Sequence, residues 1–244
     1  MQKLSESLGW TLGLTLALAA AATAVRAAVG LTDLKTLIQF GACVFFLSTL
    51  VFGAFNFFQK RNLILFAEWA LMSVSLANLT TWTFTQWQWQ YDFVLYLDAF
   101  SRVAGMNMLV VFGFLAVTHN FRSSVLTDLF IFLGIGTIAA ILMYVDYMEP
   151  IRPYVFFAAF FMFVPFLIML TWKLFSIGNR ALGIHMAITT LLLTYLHSIA
   201  DFYSIPGDAT NLFYNFAFMA LTIWAYGYLV IYFSYVALER HNVS

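Results

Sequence analysis

Eight stretches of mostly apolar residues, each about as long as a helix needs to cross a lipid bilayer, take up nearly the whole chain. They run over 8–28, 35–58, 63–86, 93–117, 126–146, 154–174, 181–204 and 212–237. A helix rises about 1.5 Å per residue, so about 20 residues cover the roughly 30 Å hydrocarbon core. The breaks are short and polar, as at Gln59-Lys60-Arg61-Asn62, Gln86 to Asp92, His119 to Ser124 and Ser176 to Arg180. None is long enough to fold alone, and no Ser-, Pro- or Gly-rich linker interrupts the series. The expected architecture is all-α: one domain over residues 1–244, a polytopic membrane bundle of eight transmembrane helices. Leu8 to Val25 follows Lys3 in the manner of a signal peptide, yet it is long enough to serve as the first span.

Composition says what the solvent must be. Of the 244 residues 63% are hydrophobic and 9% charged, where a soluble domain carries about 25% charged residues. With so few polar side chains the chain cannot cover a water-facing surface, and the mean hydropathy of +0.89 agrees. The formal net charge is zero, which gives no electrostatic pull toward nucleic acid. Cys43 is the single cysteine, so neither an internal disulfide nor a cysteine-based metal site can form within this chain.

Lys and Arg are retained on the cytoplasmic side of a membrane, and they fall here on alternate connections. Lys3, Lys60/Arg61, Arg122, Lys173/Arg180 and Arg240 mark one face. The 86–92 break has no basic residue, and the 205–211 break holds only Asp208. Arg26 and Lys35 are the exception. Both termini are therefore expected in the cytoplasm, with a bacterial inner membrane suited to the compact loops. The opposite face then carries Trp82, Trp87, Trp89, Tyr91, Tyr144, Tyr147, Tyr154, Tyr203 and Tyr214, as an interfacial aromatic belt would.

A weak internal echo accompanies this alternation. Phe58-x3-Asn62-x2-Leu65-x4-Ala70 recurs 117 positions later as Phe175-x3-Asn179-x2-Leu182-x4-Ala187. A duplication of four plus four helices would produce it, and so would chance among apolar residues. Parallel repeats of this kind place ligands at the junction of the halves.

Ionisable side chains inside spans cost several kcal/mol unless paired or hydrated, which makes them the candidate site. Asp98 and Arg102 stand at i, i+4 on one helix face and are expected to pair; Arg102 could otherwise present a bidentate fork to an anion. His197 and Asp201 share the same spacing, so the carboxylate could orient the imidazole as a base or metal ligand. Asn211 and Asn215 lie just beyond, across a tight turn, making this the densest polar group. Asp98, Arg102, His197, Asp201 and Asn215 are thus the expected polar ligand site, toward the outer surface. Glu68 and His185 occupy equal depth near the cytoplasmic side, and are a candidate proton station.

Familiar chemistries find no support. No lysine sits mid-span for a retinal Schiff base, and His185 and His197 are 12 residues apart on one helix, unsuited to bis-histidine haem. HExxH, HxxxH, DxxxD, Walker and GxGxxG patterns are missing, and no catalytic or metal-ligating residue is assigned. Three functions remain. The first is a non-enzymatic membrane-complex subunit or binding protein, its 28 Phe packing on a partner chain, a second copy, or an apolar small molecule such as a lipid, quinone or pigment. The second is a small transporter, channel or ligand-sensing receptor using the outer polar site. The third is a membrane-embedded enzyme built on His197 and Asp201. Which cofactor, if any, is bound stays open.

Overall fold

The computed structural model describes residues 34–121, 123–203 and 219–243. Every regular element among them is helical, and seven helices are long and apolar enough to cross a membrane. They are α1 (Leu34–Gln59), α2 (Leu63–Thr85), α3 (Gln88–Thr118), α4 (Val125–Tyr144), α5 (Arg152–Ser176), α6 (Arg180–Ile199) and α7 (Leu221–Val243). The expected first span, 8–28, lies outside the described residues.

Three boundaries differ from those read off hydropathy, one of them the end of α6, at Ile199. The helix α3 begins at Gln88, so the polar run expected to be a loop is mostly helix. Its side chains bond to one another and to α2. Gln90 is buried and shares hydrogen bonds with Thr85 and Thr81 of α2, while Gln88 donates to Asp92 one turn on. The last helix also runs past 237, because Glu239 forms an ion pair with Lys60 and Asn242 donates to the Val117 carbonyl.

The turn chemistry explains the internal echo. In both copies the chain passes through a left-handed residue, Arg61 or Gly178, whose N–H bonds back to Phe58 or Phe175. This ends one helix in the usual left-handed manner. The next residue, Asn62 or Asn179, then caps the following helix by accepting from the N–H three positions on, at 3.3 Å in each case. One helix–turn–helix solution used twice accounts for the matching asparagines and leucines.

Neighbouring helices form a closed ring, α1–α2–α3–α5–α6–α7, with α4 packed on the outside of α3. Burial follows this order: over an apolar 18-residue stretch of each helix, 61% of α3 and of α7 is buried against 17% of α4. The outward face of α4 is nonetheless apolar, with Val125, Leu126, Leu129, Phe130, Leu133, Ile138 and Ile141 all exposed. Close approach of α1 and α2 depends on Gly53, where a Cβ would fall 2.2 Å from the Trp69 ring. Small residues at such crossings let helix backbones meet without a hydrophobic drive between them. The core between α1, α2 and α7 is a mesh of edge-on rings, Phe57 with Trp69, Tyr232 and Tyr235, and Trp69 with Tyr228.

The Lys60 end of the bundle is tied by polar contacts. Besides Lys60–Glu239, the Asn62 amide donates to the Gly113 carbonyl at 3.0 Å and to the Tyr235 hydroxyl at 3.2 Å, joining α2, α3 and α7. At the other end Trp87, Trp89, Tyr144, Tyr147, Tyr154 and Tyr203 are exposed. Tyr214, expected with them, lies outside the described residues.

Candidate functional site

A cavity of about 280 Å³ opens among α1, α2, α3, α6 and α7, on the side of the bundle away from Lys60. Four of the five expected polar-site residues line it: Asp98 and Arg102 from α3, His197 from α6, and Asp201 from the turn just after α6. Asn215, the fifth, lies outside the described residues. The remaining wall is mainly apolar and aromatic, including Phe46, Leu76, Leu79, Trp82, Met106 and Trp224.

The floor of the cavity depends on an irregular stretch of α3. Residues Ser101–Leu109 form a π-helix between two α-helical halves, Gln88–Phe100 and Val110–Thr118. In an α-helix, positions five apart diverge by about 140°; in the i→i+5 geometry of a π-helix they align. Ser101 and Met106 therefore share the cavity wall, as do Arg102 and Asn107. The Asn107 amide reinforces the wide turn by donating to the Arg102 carbonyl at 3.3 Å. Gly105 makes room for it, since a Cβ there would lie 2.9 Å from the Phe100 carbonyl oxygen.

Arg102 sits between two carboxylates. Its guanidinium pairs with Asp201, in the turn after α6, and lies 3.6 Å from Asp98 on its own helix. Its flat face rests 4.1 Å from the centroid of the Phe156 ring on α5. One turn further along α5, Phe160 stacks on His197, 3.8 Å between centroids and 6° between planes. A single α5 face thus backs both nitrogen-bearing side chains, and leaves their other sides to the cavity.

This pairing departs from the i, i+4 expectation for α6. Asp201 is engaged by Arg102, and the His197 Nδ1 instead donates to the Leu193 carbonyl at 2.9 Å. A carbonyl only accepts, so Nδ1 carries a hydrogen, and in the neutral form of the ring Nε2 is the remaining acceptor. The edge of Trp224 completes the enclosure of the ring, 5.3 Å between centroids. The carboxylate–imidazole couple of a base or metal ligand is not the arrangement found. Nor does Arg102 offer a vacant fork: an incoming anion would meet Asp98 and Asp201. Among the described residues, no three His, Cys, Asp or Glu side chains group to hold a metal ion.

Glu68 lies directly behind this wall. It is fully buried, and its Oε1 accepts from the Ser101 hydroxyl at 3.2 Å and the Tyr228 hydroxyl at 3.1 Å. Both donors line the cavity, while Oε2 has no partner among the described residues. His185, expected beside Glu68, bonds through Nδ1 to the Tyr226 hydroxyl at 2.6 Å. Tyr226 and Tyr228 are two residues apart on α7, about 200° around the helix. Glu68 and His185 therefore engage different faces of α7, and the structure does not bring them together.

Sequence reasoning missed Ser101, Tyr228, Trp224, Phe156 and Phe160. The one available signal was spacing, since Trp224/Tyr228 and Phe156/Phe160 are aromatic pairs at i, i+4. Such pairs are also what ordinary core packing produces. Compared with known protein families, curated proteins and solved structures, the chain matches none.

Proposed function

We propose that this chain is an integral membrane protein that binds a small amphiphilic molecule in the cavity beside α3, as a transporter or ligand-sensing receptor does. Exposed apolar faces of the kind on α4 call for lipid as solvent. The alternation of Lys and Arg orients the bundle with the Lys60 end, and both termini, in the cytoplasm. Residues 8–28 supply an eighth span in this reading, and a bacterial inner membrane is its setting.

One observation carries the functional part: a single cavity, mostly apolar in its walls, is lined by Asp98, Arg102, His197 and Asp201. Its volume of about 280 Å³ lies just below that of ordinary ligand pockets, roughly 300–1,000 Å³ with few polar groups fixing orientation, and so suits a small ligand. Charges of this kind inside a span mark substrate or ion pathways. A purely apolar ligand would leave the His197 Nε2 and the loosely held Asp98 carboxylate unmatched, so an amphiphile fits better.

The test is benzyl alcohol titrated into the purified protein in nanodiscs, read by tryptophan fluorescence, because Trp82 and Trp224 line the cavity. The expected result is a saturable change that disappears in Leu76→Trp, which fills the space beside a 3% exposed wall residue. A non-saturating change of equal size in both proteins would remove this reading.

A further inference from the structure

The polar atoms on the cavity floor are unevenly spent. Several donors are committed: Ser101 and Tyr228 to Glu68, one Asn107 amide hydrogen to the Arg102 carbonyl, the His197 Nδ1 to Leu193, and Arg102 to Asp201. Three acceptors beside them are not. The His197 Nε2 and the Asn107 Oδ1 have no partner among the described residues, although these residues are 5% and 8% exposed and both line the cavity. Asp98 has only the 3.6 Å approach of Arg102. Formal charge leans the same way, with two carboxylates set against one guanidinium.

We infer that the cavity takes a small organic ammonium: a protonated amine on a compact apolar or aromatic body. This rests on the cavity being a ligand site and adds the class of its ligand. An ammonium brings three N–H donors and no acceptor, which is the complement of Asp98, the His197 Nε2 and the Asn107 Oδ1. It also neutralises the surplus carboxylate. The rings of Tyr91, Trp82 and Trp224 along the wall suit a cation, whose charge is attracted to aromatic faces, and they suit its apolar body. A carboxylate ligand would add acceptors to unspent acceptors and a third negative charge. An alcohol of the same shape would satisfy one acceptor and leave the charge unmatched.

Benzylammonium, benzyl alcohol and benzoate keep one ring and change only the head group. Their affinities are measured by saturable tryptophan fluorescence on the full chain in nanodiscs of zwitterionic lipid, so that the bilayer surface does not concentrate the cation. Benzylammonium is expected to bind about tenfold more tightly than benzyl alcohol, the ratio that one charge-assisted hydrogen bond supplies, with benzoate weakest. In Asp98→Asn the advantage of benzylammonium over benzyl alcohol should fall to about threefold or less, since the freest carboxylate is gone. Equal binding of benzylammonium and benzyl alcohol by the native protein overturns the inference and leaves the cavity reading standing. Tighter binding of benzoate overturns it as well. If none of the three binds saturably, the cavity reading falls and the inference with it. The head-group ranking on the native chain decides the matter even where Asp98→Asn folds poorly.

Discussion

Removing the charge on Arg102 should cost the fold far more than removing either of its partners. In Arg102→Met, Asp98 and Asp201 are left facing each other without a cation, and the Phe156 ring loses its guanidinium. Breaking a buried pair from one side costs about 3–5 kcal/mol, because the remaining charge stays uncompensated. These side chains are 19–34% exposed, so solvent screening lowers the expectation to about 2–4 kcal/mol. Asp201→Asn leaves Arg102 with Asp98 as its counter-charge and should cost about 1–2 kcal/mol. Asp98→Asn removes only the 3.6 Å contact and relieves a carboxylate–carboxylate repulsion, and should stay within about 1 kcal/mol. The triple variant Asp98→Asn/Arg102→Met/Asp201→Asn carries no orphaned charge and should be more stable than Arg102→Met alone. Reversible unfolding from mild detergent into SDS, followed by far-UV circular dichroism, ranks the four. If Arg102→Met costs no more than Asp98→Asn, or the triple variant is the least stable, the bridging role of Arg102 is refuted.

Three further predictions follow from the same packing. Glu68→Ala leaves the Ser101 and Tyr228 hydroxyls without their acceptor and should lose about 2–4 kcal/mol, while Glu68→Gln, which keeps an acceptor oxygen, should lose about half as much; the same SDS titration compares them. Gly105→Ala drives a Cβ against the Phe100 carbonyl, so it should disturb the π-helical turn and weaken ligand binding several-fold, read by the benzyl alcohol titration. Gly53→Ala collides with the Trp69 ring and should lower stability by about 1–3 kcal/mol; Gly134→Ala, with nothing within 4 Å, should be neutral or slightly stabilising in a thermal melt.

The helices were legible because apolar length is a local property. Six of the spans read from the sequence agree with α1 to α6 within a few residues, apart from the start of α3 and the early end of α6 at Ile199. The start of α3 was misread because Gln90 looks solvated in isolation, and only the presence of Thr81 and Thr85 on α2 explains its burial. The π-helix was invisible for a different reason: its pattern requires positions five apart to align, and a helical reading assumes they diverge. Asp98 and Arg102 were legible as a pair since both stand on one helix. The partner of Asp201 was not, because it lies 99 residues away, and helix order in space is fixed by packing rather than by any local pattern. The Asn62 and Asn179 echo was legible as text, but its meaning, a repeated helix-capping turn, is local geometry.

The most direct measurement is sided thiol labelling in sealed vesicles of known orientation. In a Cys43→Ala background, Ala200→Cys places a thiol on the cavity wall, and Arg240→Cys places one at the exposed Lys60 end of α7. A water-soluble, cationic methanethiosulfonate reagent is applied to one face at a time. A membrane bundle with its cavity away from the basic end predicts that Ala200→Cys reacts from one face and Arg240→Cys from the other. Ala200→Cys that stays unreactive from both faces, or reacts from the same face as Arg240→Cys, would contradict it.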